Sequence, residues 1–223
     1  MGTMTRTSPS LLQGLDEETR RSLIAQSRPR RFRARGTVCH EGDPGDSLHV
    51  VVSGKLAVRV TTPLGQIATL SLLGPGDSFG ELALLDPESM RTATVVALEE
   101  THTLMVTGAQ LEALRRRHPQ VDAFITETLT FYVRRLSARV LEALYLPVED
   151  RVTRRLAELT SIYASAGGGA EIRLTQDELA SMAGTTRATT NKVLQELAGR
   201  GLLTLRRGCI SVPDRFALDR AAR

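Results

Sequence analysis

Residues 74–95 read GPGDSFGELALLDPESMRTATV, and this stretch decides the fold of the N-terminal part of the chain. Gly74-Pro75-Gly76-Asp77 is a turn, because Pro presets φ at the second position and Gly accepts φ > 0 at the third. Gly80 and Glu81 follow, then the apolar run Leu82-Ala83-Leu84-Leu85, then Arg91-Thr92-Ala93. Backbone N–H groups can converge on an anion where a Gly permits close approach, and a helix beginning there adds its unpaired amides. Arg91, returning to the same place, would form a bidentate, charge-assisted pair with a phosphate. Glu81 is a carboxylate beside an anion site, which suits accepting hydrogen bonds from a hydroxyl such as a ribose 2′-OH. The competing reading is an ordinary strand–turn–helix in which Arg91 pairs with Glu81.

One phosphate anion and one free ribose hydroxyl are what a cyclic nucleotide offers. The string F-G-E-L-A-L-L, with R-T-A-T-V ten residues after the Glu, resembles the phosphate-binding cassette of cyclic-nucleotide-binding domains. That resemblance implies ligand contacts at Gly80, Glu81, Leu82, Arg91 and Thr92. It makes cyclic AMP the expected effector, with cyclic GMP open because a Thr hydroxyl at position 92 suits a guanine amino group.

Outward from the cassette, Gly36, Gly42, Gly45, Gly54, Gly65, Gly74, Gly76 and Gly80 punctuate β-branched segments such as residues 48–52, 56–60 and 93–97. Short strands at this spacing predict an antiparallel barrel or sandwich, and the resemblance sharpens this to a jelly-roll-like β-roll, in which GDPGDSLHVVVSGKLAV is a second familiar string. Upstream, residues 1–10 read as a polar tail and residues 11–25 as short helices packed on one side. The basic run RPRRFRAR (28–35) reads as an edge strand whose outward Arg side chains discourage further pairing, with nucleic-acid contact as the competing reading. After Gly108 the apolar period lengthens to about 3.6. Residues 109–118 form one helix; Val121, Ile125, Leu129, Tyr132, Leu136, Val140 and Leu144 then trace a long seam that is either core or a helix–helix contact. Pro147 marks a break.

Beyond Pro147, residues 150–161 read as a helix, followed by a flexible loop at Gly167-Gly168-Gly169. Thr175-Gln176-Asp177-Glu178 is a capping box that starts a helix near Gln176, and Gly184 stops it. Thr186 caps the next helix, from Arg187 to about Ala198, with Val193, Leu194 and Leu197 facing inward. Helix, Gly turn, helix is the helix-turn-helix pattern. Arg187, Asn191 and Lys192 are candidates for base edges in a major groove, and Thr186 and Thr189 for phosphates. Two apolar runs flanking Arg206-Arg207-Gly208 read as a β-hairpin wing that presents both Arg to the DNA backbone. A small helical module that binds protein is the competing reading.

LTQDELASMAGTTRATTNKVLQELAGRGLL resembles the winged helix-turn-helix of the cyclic-AMP receptor protein/FNR regulators, and with both signatures in family order the resemblance covers nearly the whole chain. It implies an α+β architecture: a cyclic-nucleotide-binding β-roll with N-terminal helices over 1–118, a dimerisation helix and hinge over 119–147, and a winged helix-turn-helix over 148–223. It implies a homodimer on a palindromic double-stranded DNA operator, RNA polymerase as a further partner, and Ser137 on the dimerisation helix as a purine contact. Two positions depart from the family pattern. Ala188 stands where well-studied members carry a Glu after the recognition Arg, and Leu136-Ser137 aligns with an adjacent Thr-Ser. A regulator without a ligand, or one answering cyclic GMP, cyclic di-GMP or redox state, would share the same C-terminal module.

The bulk numbers agree. A chain of 223 residues with 41% hydrophobic and 24% charged content holds one large or two modest domains, and a formal charge of +4 is compatible with a nucleic-acid partner. Cys39 and Cys209 are too far apart in sequence to suggest a disulfide framework, and no apolar leader or membrane-length run appears, so a cytoplasmic protein is expected. Cys39 and His40 are neighbours that a strand would point to opposite faces, and His49, His102 and His118 have no ligand spacing, so no metal is expected. The N-terminal cysteine cluster of the family's iron–sulfur sensors is missing. Glu81, Asp86 and His102 form no nucleophile–base–orienter set, so the chain is not expected to be an enzyme.

Overall fold

The computed structural model describes residues 10, 15–85, 90–164 and 168–222. Most of the polar tail, with Leu11, Leu12, Asp86 and Gly167, lies outside the described residues. The chain divides into two compact units between Arg135 and Leu136.

The first unit begins with α1 (Glu17–Gln26), capped by Asp16, whose carboxylate accepts from the Thr19 amide at 2.7 Å. Eight strands follow among the described residues: β1 (Arg28–Phe32), β2 (Thr37–Cys39), β3 (Ser47–Ser53), β4 (Leu56–Thr61), β5 (Ile67–Leu73), β6 (Ser78–Phe79), β7 (Thr94–Ala97) and β8 (Thr101–Thr107). They form two four-stranded antiparallel sheets, ordered β1-β8-β3-β6 and β2-β7-β4-β5. Strand β3 shows why the pair of sheets closes. Residues 47–51 are all buried, because alternate side chains serve different layers. Leu48 and Val50 join Val106, Leu111, Leu114, Val121, Phe124 and Ile125 beneath the helices, whereas Val51 joins Leu56, Leu73, Phe79, Val95 and Ala97 between the sheets.

The basic run forms the outer strand β1, paired only with β8. Residues 28–31 are exposed, and Arg31 donates to Glu100 at 2.6 Å. The turn before β6 has the expected geometry, since the Asp77 amide donates to the Gly74 carbonyl at 3.1 Å and Gly76 has φ 93°. After β6 come α2 (Glu81–Leu85) and, beyond β8, α3 (Gly108–Arg117) behind a Thr107–Gln110 capping box. Helix α4 (Gln120–Tyr145) begins in this unit, and its buried residues are Val121, Phe124, Ile125 and Thr128.

The second unit holds the rest of α4, α5 (Val148–Ile162), β9 (Ala170–Ile172), α6 (Gln176–Ala183), α7 (Arg187–Gly199), β10 (Thr204–Arg206), β11 (Cys209–Val212) and α8 (Arg215–Ala221). Its core gathers Val152, Leu156, Leu159, Leu179, Val193, Leu194, Leu197, Leu203, Ile210 and Leu218. The Thr175–Glu178 capping box and the left-handed Gly184 (φ 62°) bound α6 as the sequence indicates. The wing is a three-stranded sheet, β10-β11-β9, rather than a hairpin alone. Strand β9 follows directly on the glycine run that reads as a loop, and Gly169 lies so close to β11 that a Cβ there would come within 2.8 Å of the Val212 carbonyl.

A charged clasp ties the end of α4 to α5. Arg155 is buried; it donates to Glu142 and, at 2.7 Å, to Glu158, while Arg154 reaches the other Glu142 oxygen at 3.1 Å. Arg151 donates to the carbonyls of Leu146 (3.3 Å), Ala183 (3.1 Å) and Gly184 (3.3 Å), satisfying helix-end acceptors on both sides of Pro147.

Candidate functional site

The cassette forms where two glycine-containing segments meet. Gly80 has φ 96°, and a Cβ built on it would collide with Arg91 Nη1 and the Ser47 carbonyl, so only Gly lets Arg91 lie across this turn. Arg91 is buried, and Nη2 donates to Ser47 Oγ at 2.9 Å with Asp46 Oδ1 3.6 Å away. Its backbone is pinned as well: its amide donates to the Asp43 carbonyl, and its carbonyl accepts from Gly42, each at 2.8 Å. The loop GDPGDS thus forms the wall that holds the arginine. Motif recognition overlooked Asp46 and Ser47; the recurrence of that loop string was the available signal.

Glu81 opens α2 and is 7% exposed. Its Oε2 and Arg91 Nη1 are buried with no hydrogen-bond partner among the described residues. Burial pushes the Glu81 carboxyl above the ordinary glutamate range, while the Arg91 charge pulls it down. A buried acceptor and a buried cationic donor, both short of a partner, fit a ligand that carries one hydroxyl and one anion. Leu82 and Thr92 are exposed beside them. Ser137 is exposed on α4 and belongs to the second unit.

Aromatic packing stiffens the floor. The His49 ring stacks on Phe79 at 5.0 Å and shares a 3.0 Å hydrogen bond with Thr103. Burial, reinforced by Arg91 and Arg30, holds its imidazole at about 4, so the ring is neutral near pH 7. The Tyr132 hydroxyl of α4 donates to the Ser78 carbonyl at 3.3 Å; burial and then the Glu81 and Asp77 charges hold that phenol protonated. Among the described residues no group of three His, Cys, Asp or Glu side chains could hold a metal, and no helix is long and apolar enough to cross a membrane.

In the second unit, Thr186 caps α7 by accepting from the Thr189 amide at 3.2 Å, with the two hydroxyls 3.0 Å apart. Thr190, Val193, Leu194 and Leu197 turn inward, which leaves Arg187, Ala188, Asn191 and Lys192 outward. Arg187 lies 3.6 Å from Asp177, and Gln176 donates to the Asn191 amide oxygen at 3.1 Å. Gln176 and Asp177 are thus in the same outward cluster, a placement hidden behind their reading as capping-box neighbours. Arg206 ends β10 opposite Cys209, and Arg207-Gly208 makes the turn, with both Arg exposed.

Comparison with known proteins matches each unit. Residues 29–118 match the cyclic nucleotide-binding domain family, and residues 150–221 match the Crp-like helix-turn-helix domain family. The chain is 30% identical over 217 residues to a CRP-like cAMP-activated global transcriptional regulator of Mycobacterium tuberculosis, covering 96% of both chains. It is 37% identical over 185 residues to the cyclic AMP receptor protein of Thermus thermophilus, covering 83% of each. The crystal structure of the Thermus thermophilus catabolite activator protein, 32% identical, superposes with a TM-score of 0.56 over 95% of this chain and 97% of that one. With a cyclic-nucleotide-binding domain before a Crp-like helix-turn-helix, and with transcription regulators rather than enzymes as its relatives, this chain belongs to the CRP/FNR family of transcription regulators.

Proposed function

We propose that the protein is a cytoplasmic, homodimeric transcription regulator that binds cyclic AMP in the β-roll and a palindromic operator through two copies of α7. The observation that carries the ligand reading is the pair of unsatisfied buried atoms, Glu81 Oε2 and Arg91 Nη1, brought together across Gly80. In this reading Arg91 and the amides near Gly80 and Leu82 hold the cyclic phosphate, and Glu81 accepts the ribose hydroxyl. Thr92 and Ser137 supply polar contacts toward the base. Cyclic AMP is preferred because the relatives at 30% and 37% identity carry it in their names. Thr186 and Thr189 bind phosphate, Arg187, Asn191 and Lys192 read base edges, and Arg206 and Arg207 follow the backbone from the wing. RNA polymerase is the partner such a regulator addresses. Ligand acts by binding one state of the dimer more tightly than the other.

Calorimetric titration of the purified protein with cyclic AMP and then cyclic GMP tests the sensor, with Arg91→Ala as the comparison. The expected result is micromolar binding of cyclic AMP that Arg91→Ala weakens at least ~100-fold, as loss of a buried charge-assisted phosphate contact requires. Equal binding by the variant removes Arg91 from the phosphate, and no binding of either nucleotide by the native protein removes the sensor.

A further inference from the structure

Helix α7 begins with a charge that the helix itself does not favour. Arg187 is its first residue, where unpaired amides and the helix dipole disfavour a cation, and the first turn of α7 contains no acidic residue. The carboxylate comes from α6 instead. Asp177 Oδ2 lies 3.6 Å from Arg187 Nη1, the two side chains being 66% and 68% exposed. The other acid of that turn, Glu178, is occupied by the capping box, accepting from the Thr175 amide at 2.8 Å and from its hydroxyl at 3.0 Å. Beside Asp177, Gln176 donates to Asn191 Oδ1 at 3.1 Å. Two consecutive residues at the start of α6 thus each hold one candidate base reader of α7. In a helix-turn-helix the first helix crosses the DNA backbone, so a carboxylate at its start meets phosphates of its own sign. Its place beside Arg187 gives it a use. A guanidinium carries five N–H donors and a guanine edge takes two of them, at O6 and N7, which leaves others for Asp177. A phosphate also accepts two, but it brings a negative charge up to the carboxylate, whereas the guanine edge is uncharged.

We propose that Asp177 is a positioning residue for base recognition: it buttresses Arg187 toward a guanine edge and opposes its use on phosphate, which raises the preference for operator over random DNA. Specificity is a difference of two affinities, and Asp177 acts on both, favouring the one complex and disfavouring the other. The proposal rests on the reading of α7 as the recognition helix.

The full-length native protein, with and without cyclic AMP, selects an operator from a pool of random duplexes. Fluorescence anisotropy across a range of salt then compares native protein, Asp177→Asn and Asp177→Glu on that operator and on a random duplex of equal length. Asp177→Asn is expected to bind the operator about threefold more weakly and the random duplex about threefold more tightly, the scale of one exposed charge pair in each. Its slope of log affinity against log salt on random DNA should steepen by about 0.9, one added phosphate contact. Among single G·C to A·T changes in the half-site, the one that costs the native protein most should cost Asp177→Asn several-fold less, and Asp177→Glu should recover most of the native preference. A purely structural role, a carboxylate favouring the start of α6, would lower the melting temperature and weaken both duplexes alike; that result overturns the proposal. Tightening on both duplexes, as for a carboxylate that only repels DNA, overturns it as well. Enrichment of an operator by the native protein with an unchanged ratio in Asp177→Asn overturns the proposal alone. Absence of any enrichment removes the recognition-helix reading, and the proposal with it.

Discussion

Glu81 is held where its charge is costly. Its carboxyl titrates above the ordinary range because burial disfavours the charge, and one of its oxygens has no partner. For an acid whose folded pKa is raised, the stabilising contribution is complete below the unfolded value near ~4.3 and is lost as pH rises through the folded value. Above the unfolded value the buried carboxyl therefore costs the native protein stability. Glu81→Gln is expected to melt higher than the native protein at pH 7, and the gap should close as pH falls toward ~4. The same variant should bind cyclic AMP roughly tenfold more weakly, since a neutral amide oxygen is a poorer acceptor for the ribose hydroxyl. Melting curves across pH with calorimetry on the same preparations check both; a variant that loses stability and keeps affinity excludes the role. Gly80 shows the other side of the residue scale. Its positive φ and lack of a Cβ make room for a buried arginine, whereas the spacing F-G-E to R-T-A indicated only that Gly80 and Arg91 serve one anion site.

Among the elements, what could be read from the sequence was local. The turn at Gly74–Asp77, the capping box at Thr175, the glycine stop at 184 and the cap at Thr186 are each set by side chains within four residues of the backbone they satisfy. Features set by distant partners were not legible. Strand β9 exists because β11 offers it a ladder, and Ser47 meets Arg91 across 44 residues. The clasp at the end of α4 is of the same kind. Glu142 accepts from Arg154 and Arg155, the latter 3% exposed, so a proline break that reads as a hinge is bound on both sides within one compact unit. Glu142→Ala leaves Arg155 with Glu158 as its remaining carboxylate. The expected cost is about 2–3 kcal/mol, below the ~3–5 typical of a fully orphaned buried charge. Denaturant unfolding of the full chain, followed by probes in the second unit, measures it. An unchanged midpoint excludes the clasp as a structural tie.

At the scale of the molecule, α4 poses the largest question, because its apolar seam is not consumed by the fold. Burial on this helix ends at Thr128, while Val133, Leu136, Val140, Leu141, Leu144 and Tyr145 are 57–77% exposed. Water does not favour so long an apolar stripe on a monomer, and a second copy of the same helix would cover it with matching residues. Arg139 and Glu142 are engaged with α5, away from the stripe, whereas Arg134 is exposed beside it. A two-fold pair would present two α7 helices to two half-sites and would double the phosphate contacts that set the salt dependence of binding. The variant Leu136→Glu with Leu144→Glu places carboxylates in the centre of that contact without touching either unit's core. It is expected to sediment as a monomer with a native circular dichroism spectrum. Its affinity for a palindromic operator should fall at least ~100-fold, because the second half-site no longer binds at high effective concentration. The slope of log affinity against log salt should fall to about half its native value, because half of the neutralised phosphates are gone. A variant that stays dimeric, or a monomer that keeps the native slope, would place the dimer contact elsewhere than α4.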